Sequence, residues 1–340
     1  MLLVASDPVF GEHDTGPGHP ERASRLRAVG DGIRRSKVAD AVLVLEHRDA
    51  RRDELERVHR ADYLEGLEER CAAGGGFLDA DTVVSAGSWR AARAAAGAGL
   101  AAVDALRRGD ADAAFLAVRP PGHHALPDRA MGFCLVNNVA VTAAALAAGG
   151  ERVCVVDFDA HHGNGTQHVF YADARVAYVS LHEWPLYPGT GRLEETGTGP
   201  GAGTTCNVPL PSGATGDVYL MAFDEVVAPF VERFSPGWVL LSAGFDAHRD
   251  DPITGLGLSA GDFADITARV AELAPRGRLI AFLEGGYDLA GLRHSVQAAL
   301  PALLGEHEGP RERVEAATGG GPGRVSVEAV VQHWRAMVGS

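Results

Sequence analysis

Short apolar runs alternate along the chain with longer stretches rich in Ala, Leu, Arg and Glu. Several of these runs are unbroken and β-branched, a pattern typical of strands that are buried on both faces. Strands separated by helices of this length form βαβ units and a parallel sheet. Strands are predicted at residues 2–5, 42–46, 113–118, 153–157, 176–181, 206–208, 238–242 and 279–283. Helices are predicted at residues 20–35, 51–71, 85–108, 137–148, 214–234, 259–273, 289–303 and 326–338.

The bulk composition allows a large folded core and restricts the possible partners. The 340 residues are 46% hydrophobic and 22% charged, which is ordinary for a globular protein. A net charge of −14 argues against nonspecific binding to nucleic acid. We expect a single domain over residues 1–340, with its core at about residues 10–305 and a linker and helix at 306–340 that pack on the same domain.

Neither a membrane anchor nor a disulfide framework is expected. No apolar stretch reaches the length that spans a bilayer, and the N-terminal apolar run is too short for a signal peptide. The four cysteines are scattered without a Cys-x-x-Cys pair, which indicates neither disulfide bonds nor a thiolate zinc site. We therefore expect a cytoplasmic protein. The sequence leaves its oligomeric state open, and an oligomer is possible.

Polar residues begin abruptly where the strand predicted at 153–157 ends. Asp157, Asp159 and His161 occupy alternate positions, so an extended backbone would direct all three side chains to one side. Two carboxylates and an imidazole at the open end of a strand suit a divalent metal with a free coordination position. The alternative interpretation is a polar loop that caps the next helix.

Three other predicted strands also end in residues that can carry chemistry. A parallel sheet binds its ligand beyond the carboxyl ends of its strands. Those ends are followed by the adjacent pair His123 and His124, by Asp246, and by Tyr287 after two glycines. Each has an ordinary alternative: a surface histidine pair, a turn or cap aspartate, and a half-buried tyrosine. Four such strand ends together predict one functional site.

Eight segments in chain order carry a family resemblance. They are His-Pro-Glu at 19–21 with Arg-Leu at 25–26, Arg-Pro-Pro-Gly-His-His-Ala at 119–125, Met-Gly-Phe-Cys-Leu-Val-Asn-Asn at 131–138, Asp-Phe-Asp-Ala-His-His-Gly-Asn-Gly at 157–165, Ser-Leu-His at 180–182, Tyr-Pro-Gly-Thr-Gly at 187–191, Ser-Ala-Gly-Phe-Asp at 242–246 and Glu-Gly-Gly-Tyr at 284–287. The chain resembles the zinc-dependent histone deacetylase family, which includes bacterial acetylpolyamine amidohydrolases and acetoin-utilisation proteins. The resemblance implies an arginase-like, three-layer α/β fold with a central, mostly parallel sheet of about eight strands flanked by helices.

The resemblance also implies a catalytic centre with one zinc ion (Zn²⁺). The residues that would bind the zinc are Asp159, His161 and Asp246. His124 would act as general base and then general acid, with His123 as its electrostatic partner, and Tyr287 would donate a hydrogen bond to the developing oxyanion. Asp157 would orient His123, and Asn164 would orient His124. An amide at 164 adds no negative charge, so His124 should be easier to keep neutral than beside an aspartate.

Further residues would hold the substrate and a structural potassium ion (K⁺). By the same resemblance, the channel for the aliphatic stem of the substrate would be lined by Gly132, Phe133 and Tyr187. Asp79 or Asp81 would grip the substrate backbone, and their spacing does not choose between them. The residues implied at the potassium site are Asp157, Asp159, His161, Ser180 and Leu181.

The function implied is the hydrolytic removal of an acetyl or another short acyl group from an amine by a metal-activated water. Family members that select polyamines in animals carry Glu seven residues after the third metal ligand, where this chain has Ile253. An apolar residue there favours the acetylated lysine of a protein or peptide over an acetylated small amine. The alternatives are an acetylpolyamine amidohydrolase, a non-enzymatic acyl-lysine binder, and a dimanganese enzyme similar to ureohydrolases.

Overall fold

A computed structural model describes residues 1–306, 309 and 313–338 of the chain. Within this part, eight strands form one sheet that is parallel throughout, in the order β2-β1-β5-β10-β9-β6-β7-β8. The strands of this sheet are β1 (Leu2–Ala5), β2 (Val42–Val44), β5 (Ala113–Leu116), β6 (Val153–Asp157), β7 (Val176–Glu183), β8 (Thr205–Leu210), β9 (Trp238–Ala243) and β10 (Leu279–Leu283). The predicted parallel sheet is confirmed, with strand boundaries that differ by up to two residues.

Helices cover both faces of the sheet and create two cores. In β6, Val153 and Val155 face one core while Cys154 and Val156 face the other, as strand alternation requires. The helices are α1 (Ser24–Arg35), α2 (Arg52–Leu55), α3 (Ala61–Ala72), α4 (Ser88–Arg108), α5 (Asn138–Ala148), α6 (Asn164–Phe170), α7 (Gly216–Ala222), α8 (Ala228–Phe234), α9 (Ala260–Leu273), α10 (Leu289–Leu303) and α11 (Arg324–Val338). Helices α3, α4 and α5 bury residues on one face, and α1, α9 and α10 on the other. This arrangement is the predicted three-layer α/β fold.

Local predictions were wrong at four places. The helix predicted at 51–71 is divided into α2 and α3, because the intervening His59 and Arg60 bond to the backbone of residues 126–127. The helix predicted at 214–234 is interrupted by a π turn at Phe223–Val227, just before Pro229, which has no backbone N–H to donate. The hairpin of β3 (Gly75–Phe77) and β4 (Val83–Ser85), and helix α6, were not predicted.

The C-terminal helix α11 packs on β8 and α7. Trp334 lies edge-on to Phe230, with ring centroids 5.0 Å apart. Of the predicted linker and helix at 306–340, residues 307–308, 310–312 and 339–340 lie outside the described residues. Of the helices that are described, none is long and apolar enough to cross a membrane.

Candidate active site

Four neighbouring strands, β5, β10, β9 and β6, place the chemistry-bearing residues at one edge of the sheet. The register aligns Asp157 of β6 with Ser242 of β9, and Ala243 with Leu283 of β10. The segments that follow these strands therefore leave the sheet side by side. Because the strands are parallel, residues that are more than 100 positions apart in sequence converge there.

Asp159, His161 and Asp246 form a buried group, here called the metal group. Their ligating atoms all lie within 4.8 Å of one another. The His161 Nδ1 atom lies 2.9 Å from Asp246 Oδ2 and 3.2 Å from Asp159 Oδ1. Two oxygen donors and one nitrogen donor, each at most 7% exposed, form a set that fits a zinc ion with one position left free.

The charges of the metal group also favour a cation. Burial, together with the charge of Asp159, raises the pKa of Asp246 to about 7. Burial lowers the pKa of His161, but the hydrogen bonds and charges of the two aspartates outweigh burial and raise this pKa to about 10. The carboxylates thus draw a proton onto the imidazole. A divalent cation would supply the same positive charge.

Two glycines make room for the metal group. A Cβ atom on Gly244 would lie 1.9 Å from Asp159 Oδ2, and one on Gly285 would lie 2.3 Å from Asp246 Oδ2. Both distances are far below van der Waals contact, so these positions require glycine for close approach to the carboxylates. In the sequence, Gly285 is one of the two glycines before Tyr287, and its close approach to the metal group was not predicted.

His123 and His124 lie beside the metal group with their rings 4.0 Å apart. The His123 Nδ1 atom is 3.0 Å from Asp157 Oδ2, and the His124 Nδ1 atom is 2.8 Å from Asn164 Oδ1. Because an amide oxygen only accepts hydrogen bonds, His124 carries a proton on Nδ1 and keeps Nε2 free when neutral. The contacts of Asp157 with His123 and of Asn164 with His124, both expected from the sequence, are therefore within hydrogen-bond distance.

The two histidines have opposite electrostatic environments. Burial, reinforced by the charges of His123 and His161, holds the pKa of His124 well below its usual range. Burial also lowers the pKa of His123, but the charges of Asp159 and Asp157 outweigh it and raise this pKa to about 10. His124 is thus the neutral member of the pair, as a general base requires.

Glu284 is a buried site residue that sequence reasoning left without a role. Its Oε2 atom accepts hydrogen bonds from the backbone N–H of Gly122 at 2.7 Å and of His123 at 3.2 Å. Glu284, His123 and Cys134 also form a second group of potential ligands. Burial raises the pKa of the Cys134 thiol well above its usual range, so this thiol remains protonated and is a poor metal ligand.

Tyr287 and the residues around it form the wall of the site. The Tyr287 ring lies 5.8 Å from the Phe133 ring, and the Tyr187 ring lies 5.3 Å from the His124 ring. A Cβ on Gly132 would lie 2.5 Å from the His124 ring, so this position also requires glycine. Of the residues predicted to contact substrate, Gly132 and Tyr187 therefore lie beside His124, and Phe133 lies beside Tyr287.

The outer edge of the site, here called the rim, comprises Tyr187, Ile253 and the loop 79–82. Tyr187 is 40% exposed and Ile253 is 37% exposed. Asp79 Oδ1 accepts the backbone N–H groups of Asp81 and Thr82, at 3.0 and 2.6 Å. The Asp81 carboxylate accepts the Thr82 hydroxyl at 3.2 Å. Asp79 is thus committed to its own turn more strongly than Asp81.

An arginine from the N-terminal motif supports the tyrosine segment. Arg25 donates to the carbonyl oxygens of Gly286 at 2.7 Å and Glu284 at 2.5 Å. Its guanidinium carbon also lies 5.0 Å from the centroid of the Tyr287 ring. Glu21 holds Arg25 at 3.1 Å. The segment at 19–26 therefore supports the backbone of residues 284–286. The spacing of residues in the sequence could not reveal this long-range contact.

The residues predicted at the potassium site lie on two paired strands and the loop after one of them. Asp157 aligns with Ser180 in the β6–β7 register. The Ser180 hydroxyl lies 2.9 Å from His182 Nδ1, and Leu181 is fully buried. Asp157 also accepts a hydrogen bond from the Tyr178 hydroxyl at 3.0 Å. Of the residues predicted at the potassium site, Asp157 and Ser180 are therefore neighbours in the sheet.

Comparison with known proteins gives this geometry a family. The sequence model that describes the histone deacetylase domain matches residues 19–303. The chain belongs to the histone deacetylase family. The resemblance and the α/β fold inferred from the sequence are both confirmed, and membership makes the protein a hydrolase of the deacetylase class.

Relatives in this histone deacetylase family include archaeal and bacterial proteins. A probable deacetylase of Archaeoglobus fulgidus is 42% identical over 286 residues, which cover 82% of this chain and 79% of the relative. A histone deacetylase-like amidohydrolase of Pseudomonas aeruginosa is 42% identical over 266 residues, covering 76% and 70%. The crystal structure of the HDA15 HD domain is 34% identical and superposes with a TM-score of 0.88, covering 98% of this chain and 96% of that one.

Proposed function

We propose that the protein is a zinc-dependent deacylase that removes acetyl or another short acyl group from lysine side chains of proteins or peptides. One observation carries the proposal. His124, the neutral histidine with a free Nε2 atom, lies next to both the metal group and Tyr187, with its ring 6.0 Å from that of His161 and 5.3 Å from that of Tyr187. A base in this place can act on a water molecule held at the metal group.

Asp159, His161 and Asp246 are the residues that would hold the zinc ion. When bound, zinc polarises the acyl carbonyl and lowers the pKa of water at the site. Glycines at 244 and 285 leave the two carboxylates space to turn toward a common ligand. Asp157 and Ser180, with the neighbouring positions 159, 161 and 181, would hold a structural potassium ion beside the base of the site.

The protein residues would then carry out the proton transfers. His124 Nε2 accepts the proton of the attacking water, while its Nδ1–H donates to Asn164. The Tyr287 hydroxyl donates a hydrogen bond to the oxyanion that develops on the substrate carbonyl. His124, now protonated, returns the proton to the leaving amine. The products are a short carboxylate and a free amine.

The rim supports a lysine side chain as the substrate amine. Ile253 offers no charge to the ammonium groups of a polyamine. Asp81 has fewer hydrogen bonds within its loop than Asp79, so it is the better acceptor for a substrate backbone N–H. An acetylated polyamine is the second candidate substrate, because the carboxylates of residues 79 and 81 both act electrostatically on Tyr187 at the rim.

The cysteines bear on the proposed compartment. All four are buried free thiols. This supports a reducing compartment such as the cytoplasm.

A substrate comparison tests the proposal. The purified zinc-loaded protein is incubated with an acetyl-lysine peptide, longer acyl-lysine peptides, acetylspermidine and acetylputrescine, and the released carboxylate is measured. We expect the highest kcat/KM on an acyl-lysine peptide. Higher kcat/KM on acetylspermidine would identify a polyamine enzyme, and tight peptide binding without release of carboxylate would identify an acyl-lysine binder.

A further inference from the structure

Asp251 is a buried carboxylate near the metal group, and the mechanism above does not use it. It is 8% exposed and lies five positions after Asp246 in the chain. Its Oδ2 atom accepts hydrogen bonds from the backbone N–H of Tyr287 at 2.7 Å and of Asp288 at 3.4 Å. Its Oδ1 atom accepts the backbone N–H of Ile253 at 3.1 Å. One side chain thus contacts the segments of both the tyrosine and the rim.

The backbone before Tyr287 needs such support. Two glycines precede the tyrosine, and Gly286 adopts a φ of 114°, so neither residue contributes a side chain that could pack and fix the segment. Arg25 donates to the Gly286 carbonyl, and Asp251 accepts from the Tyr287 amide. The orientation of the phenol therefore depends on two buried side chains that bond to the backbone of this segment.

The backbone of Asp251 is bonded to the loop that carries a metal-group residue. The backbone N–H of Asp251 donates to the His248 carbonyl at 2.8 Å. The Thr254 hydroxyl donates to the Asp246 carbonyl. Residues 246–254 thus form one hydrogen-bonded loop that begins at the metal group and ends at the rim. A shift of the Asp251 side chain would be transmitted directly to the backbone of both Tyr287 and Ile253.

We propose that Asp251 is a positioning residue that sets the Tyr287 hydroxyl relative to the metal group. The inference rests on the proposed deacylase function, in which that hydroxyl stabilises the oxyanion. Misplacement of a catalytic group by about 1 Å costs on the order of 10²-fold in rate. The loss through Asp251 is limited by the value of the whole hydroxyl, about 10²- to 10³-fold. The effect falls on kcat, because the hydroxyl acts in the transition state.

A double-mutant cycle tests this proposal with the zinc-loaded full chain and an acetyl-lysine peptide. Asp251→Ala and Asp251→Asn are each made in the wild type and in Tyr287→Phe, and kcat, KM, zinc content and Tm are measured. We expect Asp251→Ala to lower kcat about 10- to 100-fold in the wild type, but less than about threefold in Tyr287→Phe, where no hydroxyl remains to be misplaced. Zinc content should stay at that of the wild type.

The asparagine variant keeps the cycle informative if the alanine variant does not fold. Asp251 accepts with both carboxylate oxygens, whereas Asn has one acceptor, so Asp251→Asn should lower kcat by at least about threefold in the wild type alone. Asp250→Asn is the matched control. This variant removes the same charge from the preceding residue, whose side chain is 63% exposed. Its kcat should remain within about twofold of the wild type.

Two results would overturn the inference. An equal loss of kcat in both backgrounds would mean that Asp251 acts on the fold and not through the tyrosine, and loss of zinc from the Asp251 variants would mean that it acts on the metal group. Failure of the proposed function would give a different result: the wild-type protein would release no carboxylate from any acyl-lysine peptide. That result would also remove the basis of the inference about Asp251.

Discussion

The base of the site and its rim are built in different ways. At the base, the metal group and histidine pair are buried, come from strand ends, and have their orientations held by hydrogen bonds to Asp157, Asn164 and backbone amides. At the rim, Tyr187 and Ile253 are 40% and 37% exposed and come from loops. The difference indicates that the reaction type is built into the sheet, whereas substrate choice depends on a few exposed side chains.

Removing one charge from the metal group should have the largest effect. In Asp159→Asn, the amide keeps the size of the side chain but loses the anionic oxygen that a zinc ligand requires. We expect zinc content to fall and kcat on an acetyl-lysine peptide to drop by at least about 10³-fold. Elemental analysis and carboxylate release would measure both. Near-normal turnover by this variant would contradict the role of the metal group.

The buried ion pairs of Glu21 with Arg25 and Arg119 should affect the stability of the fold more than the choice of substrate. Glu21 is fully buried with Arg25 and Arg119, and Glu21→Gln leaves two buried guanidinium groups without their counter-charge. We expect the free energy of unfolding to fall by about 3–5 kcal/mol. Thermal or denaturant unfolding of both proteins would measure the loss, and equal stability at pH 7 would contradict it.

The pH dependence of this pair has a definite sign. Burial raises the pKa of Glu21, but Arg119 and Arg25 outweigh burial and lower it to about 2. A lowered folded-state pKa gives stability that is fully present above the unfolded value of about 4.3 and is lost as the pH falls through about 2. The difference between wild type and variant should therefore be unchanged between pH 5 and pH 8. A difference that disappears by pH 5 would contradict the assignment.

A single charge added at the rim should shift substrate preference and leave the metal group and the histidine pair intact. In Ile253→Glu, a carboxylate would face the ammonium groups of a polyamine substrate. We expect the ratio of kcat/KM for acetylspermidine to that for acetyl-lysine peptide to rise about 3- to 10-fold, as befits a partly exposed ion pair. Ile253→Gln, which has a similar shape but no charge, should leave the ratio unchanged. An equal shift in both variants would exclude charge as the cause.

The smallest expected effect separates the two rim aspartates. Asp81→Asn should raise KM for the peptide about three- to tenfold with little change in kcat, because one substrate hydrogen bond is weakened. Both turn hydrogen bonds of Asp79 go to its Oδ1 atom, which an asparagine can reproduce, so Asp79→Asn should leave KM nearly unchanged. The reverse pattern would assign substrate contact to Asp79.

The parts that could be predicted from the sequence are those specified locally. The alternation of Asp157, Asp159 and His161 after an apolar strand predicted two members of the metal group, Asp159 and His161, and the strand pattern predicted the parallel sheet. Arg25 and Glu284 escaped assignment because their partners lie far away in sequence, and Asp251 because its bond is to a backbone amide 36 positions away. Such contacts depend on tertiary packing, which hydrophobic periodicity does not encode.

Gly285 is a clear example of a role that the sequence pattern does not reveal. Gly285 looks like a flexible residue in sequence, yet in the fold it is the one residue type that lets the chain pass beside Asp246 Oδ2. Similarly, the break between α2 and α3 depends on a hydrogen bond from Arg60 to the Pro127 carbonyl, which no local pattern indicates. Close approach and long-range backbone contacts both require the three-dimensional structure.

The central claim is that the metal group and Tyr287 act together on an acyl-lysine substrate. The most direct test measures kcat, peptide affinity and metal content of the wild type and Tyr287→Phe side by side. We predict one zinc per chain and similar peptide affinity in both proteins, with kcat lowered about 10²- to 10³-fold in Tyr287→Phe, equivalent to about 2.7–4 kcal/mol of transition-state stabilisation. Wild-type turnover by Tyr287→Phe, or two manganese ions per chain in the active protein, would contradict the account.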